Sequence, residues 1–108
     1  MPPVFTKLHA LRAFERRHLG FLRTIEDFDL IREIGYHQER GEPLTMKTLH
    51  LLGVASVPTI QRRLRQLRLA GAIQQIRSKR DGRALELCLT PKVQKTFAKY
   101  AEMLFAAH

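Results

Sequence analysis

Between Ser56 and Arg83 the chain reads SVPTIQRRLRQLRLAGAIQQIRSKRDGR. These 28 residues hold eight of the nineteen Lys and Arg side chains and one acid, Asp81. They carry +7 of a formal net charge of +9, so the other 80 residues are nearly neutral. A guanidinium is a planar fork that pairs bidentately with phosphate or with a guanine edge. A block so basic points to a polyanion as partner, nucleic acid first and an anionic membrane surface second.

Two kinds of local structure must position these bases. From Ser56 to about Ala70, Ile60, Leu64 and Leu67 recur at helical spacing, with Ser56 as N-cap and Pro58 in the first turn. Gly71 ends that helix. The period then changes to two, in strands over about 72–76 and 84–89, with Leu85, Leu87 and Leu89 expected on one inward face. The polar link between them carries an Asp81-Gly82 turn signal.

The flanking chain reads as scaffold. A helix is predicted over about 5–19, broken by Gly20. A second runs from about Arg23 to Gln38, with Thr24 as candidate cap, Glu26 and Asp27 in its first turn, and a stripe of Ile25, Phe28, Ile31, Ile34 and Gly35. A short helix, Met46 to Leu52, follows its cap Thr45, with Leu49 and Leu52 expected inward. Thr90-Pro91 opens a last helix to about Ala106, with Val93, Phe97, Tyr100, Ala101 and Leu104 on one stripe.

The order is mainly α with a small β-hairpin: a single winged helix-turn-helix domain over 1–108. The helix-turn-helix covers about 45–70, the wing about 72–90, and the terminal helices, about 5–19 and 91–106, are expected to be scaffold and dimer surface. In such a unit the second helix lies in the DNA major groove. Pro58, Thr59, Gln61 and Arg62 are the candidates for base contacts; Arg63, Arg65 and Arg68 are placed for phosphates. On the hairpin, Arg77, Lys79, Arg80 and Arg83 suit the minor groove or phosphate. Ser56, Thr45 and Thr48 can touch phosphate while capping helices. The plainer readings are a solvated helix face, a charged edge that deters strand pairing, and for Asp81 a turn residue only.

Over roughly 44–91 the sequence resembles the MarR family of bacterial transcription regulators. The resemblance rests on Ser56-Val57-Pro58-Thr59, Arg62-Arg63, Leu67-Arg68-Leu69-Ala70-Gly71-Ala72-Ile73, Asp81-Gly82-Arg83 and Leu89-Thr90. It implies a homodimer that sets two recognition helices in successive major grooves, with Arg83 in the minor groove and Asp81 orienting basic side chains. It also implies a ligand pocket near the first two helices, where the sequence shows no defensible polar constellation. The function expected is sequence-specific binding of double-stranded DNA in transcription regulation. The alternative is a winged-helix module for RNA or protein interaction, as in a phage or plasmid accessory factor. The basic stretch has no Phe, Tyr or Trp to stack on single-stranded bases.

Other chemistry finds little support. There is no phosphate-cradling glycine loop, nucleophile elbow or apolar acid pair, so neither an enzyme nor a cofactor is expected. His9, His18, His37, His50 and His108 are scattered, and no metal site is expected. Cys88 alternates with the inward leucines, where it can be accessible. A single cysteine, no signal peptide and no long apolar run fit a cytoplasmic protein without a membrane partner.

Overall fold

Four of the five helices start at a side-chain cap. In the computed structural model, which describes residues 1–106, five helices and one hairpin occur in the expected order. Helix α1 is Val4–His18, α2 Ile25–Glu39, α3 Met46–Leu51 and α4 Val57–Leu69. Strands β1 (Ile73–Arg77) and β2 (Leu85–Leu89) precede α5 (Pro91–Leu104). At α2 the Thr24 hydroxyl accepts from Asp27 N–H, while the Asp27 carboxylate accepts from Thr24 N–H. This reciprocal box satisfies backbone donors that a helix start otherwise leaves unpaired. Thr45 and Thr48 form the same arrangement at α3. Ser56 and Thr90 cap α4 and α5, each followed by a proline in the first turn. Gly53 and Gly71 take positive φ, 67° and 74°, and allow the chain to turn after α3 and α4.

The hairpin is antiparallel, with Ile73 opposite Leu89 and Arg77 opposite Leu85. Its other edge is not bare. Thr45 bridges Glu86, and Leu87 N–H donates to the Leu44 carbonyl at 2.7 Å. The segment before α3 thereby runs along β2 and welds the helix-turn-helix to the wing. The core lies among Leu30 and Ile34 of α2, Leu49 of α3, Ile60 and Leu67 of α4, and Leu87, all fully buried. No α1 residue belongs to this central cluster among the described residues. Instead α1 packs on α5: Phe14 lies 5.4 Å from Tyr100, and Lys7 Nζ donates to the Met103 carbonyl at 2.5 Å. The molecule is elongated, 50 × 27 × 25 Å. No helix among the described residues is long and apolar enough to cross a membrane.

Four sequence expectations change. Ile25 is 74% exposed, and Leu30, outside the expected stripe, is fully buried. At 100° per residue Ile25 falls roughly opposite the face formed by Asp27, Leu30, Ile31 and Ile34. Leu52 is half-exposed because α3 ends before it and it occupies the C-cap. Leu85 is exposed because it pairs with Arg77 at the far end of the wing, beyond the core. Cys88 is buried, a free thiol on the face opposite Leu87.

Candidate nucleic-acid interface

The apolar stripe of α4 orients everything else on it. With Ile60, Leu64 and Leu67 buried, Pro58, Arg62, Arg65 and Leu69 project from the opposite side and are exposed. Gln61 and Arg68 are exposed on one flank, which faces the sheet. There Gln61, Arg65, Arg68, Leu69 and Gln75 line a groove of about 600 Å³. Thr59 is half-buried, and its hydroxyl accepts from the Ser56 hydroxyl at 3.0 Å. Thr45 and Ser56 both serve as caps, with their oxygens on backbone N–H groups.

Arg63 is a correction. It was expected at a phosphate, but it turns to the other flank of α4 and meets α2. Its Nε donates to Asp27 Oδ1 and its Nη2 to Asp27 Oδ2, both at 2.7 Å. Arg63 keeps 16% of its side chain exposed and Asp27 none. Turning this guanidinium toward an anionic surface would take from a buried carboxylate its only side-chain cation partner among the described residues. Asp27 is therefore a functional candidate that sequence reasoning missed. Two signals were present: a Thr24-x-x-Asp27 box, and an arginine bordering the α4 apolar stripe at helical spacing.

The wing tip is an organised loop. The Ser78 hydroxyl accepts from Arg80 and Asp81 N–H, both at 3.1 Å. Asp81 Oδ1 accepts from Arg83 N–H at 3.0 Å, which is the turn role. Arg77 folds its guanidinium onto the Gly82 carbonyl, and Arg80 Nη2 reaches the Gly41 carbonyl at 2.6 Å. Both stay exposed and keep further N–H donors. Lys79 and Arg83 are exposed. Among the described residues no acid lies within ion-pair distance of Arg62, Arg65, Arg68, Lys79 or Arg83. Five cations on two adjoining elements thus face solvent uncompensated.

No protein-family model matches the sequence, and no curated protein matches it. Solved structures do. MarR aligns with a TM-score of 0.55 and 22% identity, over 97% of this chain and 82% of that one. The fold is MarR-type. The transcriptional regulator BldR from Sulfolobus solfataricus aligns with a TM-score of 0.53 and 19% identity, over 96% of this chain and 80% of its own. The MarR-type fold extends across both terminal helices, beyond the 44–91 stretch that carries the sequence resemblance. Among the described residues no three of His, Cys, Asp and Glu are grouped to hold a metal; His108 lies outside them.

Proposed function

We propose that this protein binds double-stranded DNA sequence-specifically as a transcription regulator. Helix α4 enters the major groove, and the wing reaches the adjacent minor groove. The carrying observation is the set of uncompensated, exposed cations on the outer face of α4 and on the wing tip. Pro58, Gln61 and Arg62 stand at the N-terminal half of α4, the half that approaches base edges in this docking mode. Gln is suited to adenine and Arg to guanine. Arg65 and Arg68 follow on the groove side, for phosphate. On the wing Arg83 is the minor-groove candidate, with Lys79, Arg77 and Arg80 at the backbone.

The working unit is a homodimer. Val4, Phe5 and Leu8 of α1 and Leu104 and Phe105 beside the end of α5 are at least two-fifths exposed. Lys7 to Met103 brings these two ends together, so their apolar side chains form one neighbourhood. Such a patch is the mark of an interface. Two protomers would read half-sites about 10 base pairs apart.

The test is a titration of a duplex selected from a random pool against an unselected duplex, at two salt concentrations. Selected DNA should bind at least a thousandfold tighter. Each phosphate neutralised steepens the salt dependence by about 0.9, so four or five per protomer give a slope near −4 per protomer and about −8 for the dimer. Equal affinity for both duplexes overturns the proposal.

A further inference from the structure

The Asp27–Arg63 pair lies outside the solvent-facing cation surface, yet it joins the start of α2 to the middle of α4. We propose that Asp27 is a positioning residue for α4: it sets the rotation and axial placement of the helix, so that Pro58, Gln61 and Arg62 present one fixed array. This rests on the reading of α4 as the DNA-reading helix.

Apolar packing alone leaves that setting loose. Burial of Ile60, Leu64 and Leu67 is favourable in proportion to area and has no direction. A rotation of about 20° moves a side-chain tip, roughly 5–6 Å from the axis, by about 2 Å. A base-edge hydrogen bond tolerates only a few tenths of an ångström. Two parallel N–H···O bonds of 2.7 Å define both a distance and an angle.

The other end of the fork is fixed as well. Asp27 Oδ2 also accepts from Arg23 N–H at 2.9 Å and from Thr24 N–H at 3.2 Å. The carboxylate is thus bound to the backbone where α2 begins, and it cannot follow Arg63 if α4 turns. Asp27 is fully buried, so water does not compete for it. Hydrogen-bonded contact therefore runs from the α2 backbone, through two side chains, to α4.

The experiment compares wild type, Asp27→Asn and Arg63→Lys, at a temperature where circular dichroism shows each folded. The readout is the affinity ratio between selected and random duplexes of one length, with the salt slope of each. Both variants should lose about tenfold in the ratio, the discrimination of one bidentate base contact, at unchanged random-duplex affinity and slope. A purely structural role lowers the melting temperature and leaves the ratio alone, which overturns the proposal. So does an equal loss on both duplexes for Arg63→Lys, which marks Arg63 as a phosphate contact, since phosphate contacts serve every sequence alike. If Asp27→Asn fails to fold, Arg63→Lys decides by itself, because lysine keeps the charge opposite Asp27 but not the fork. A wild type that does not discriminate overturns the regulator reading along with this one. A discriminating wild type with indifferent variants overturns this one alone.

Discussion

The Tyr100 hydroxyl donates to Glu15 Oε2 at 2.7 Å, across 85 residues of sequence, and ties α5 to α1. Burial, then the hydrogen bond to Glu15 and its negative charge, push the Tyr100 phenol up to about 12, partly opposed by Arg32. A phenol whose folded value is raised contributes stability that is complete below its ordinary value of 10 and is lost as the pH climbs through about 12. Stability should therefore fall over that window, and Tyr100→Phe should flatten the fall. At neutral pH the same substitution should cost about 1–2 kcal/mol. Thermal unfolding across the alkaline range, with the phenolate absorbance followed alongside, checks both.

Asp27 governs the acid limb. Burial pushes its carboxyl up, but the hydrogen bond from Arg63, those from the Arg23 and Thr24 N–H groups, and the Arg63 charge together hold it below the ordinary 3.8. Its contribution is complete above that value and is lost as the pH falls below it. Asp27→Asn should remove this limb and cost about 3 kcal/mol at neutral pH, since it leaves a mostly buried guanidinium unpaired. Denaturant unfolding at neutral pH and in acid measures it.

Neighbouring leucines in α3 should behave differently. Leu49 is fully buried and Leu51 is 76% exposed. Leu49→Ala should lose about 2–5 kcal/mol by leaving a cavity. Leu51→Ala should stay within about 0.5 kcal/mol. Equal losses would contradict the packing of α3 described above.

The proposed division of labour on DNA is separable by salt. Arg62→Ala should cost about 1–3 kcal/mol on selected DNA and relax preference at one base position. Arg65→Ala should weaken selected and random duplexes alike and make the salt slope shallower by about 1 per protomer.

Cys88 should be slow to alkylate in the folded protein. Burial and the nearby Glu86 charge both raise its thiol, and the thiolate is the reactive form. Iodoacetamide labelling followed by mass spectrometry should show rapid modification only after unfolding. Fast labelling of native protein would contradict the burial of β2.

Much of this architecture was legible because its signals are local. Thr24, Thr45, Ser56 and Thr90 satisfy backbone donors within three residues, and Gly71 ends α4 through its own φ. The change of period after Gly71 marks the wing for the same reason. Local signals failed where a residue's face depends on another element. Ile25 fits a helical stripe in sequence, yet it lies away from α4. Leu85 continues an alternation whose buried partners end one pair earlier.

By itself, then, the sequence determined the order of elements, the place of the positive charge and its concentration on one helix and one hairpin. Tertiary structure decided which of those cations are free. Arg63 reads like its neighbours Arg62 and Arg65 until α2 brings a buried carboxylate against it. Arg80 reads like Arg83 until the turn at Gly41 offers a carbonyl. The reason is physical: a charge is placed by its own residue, but its availability depends on partners 36 and 39 positions away, which only the packed chain brings within 3 Å.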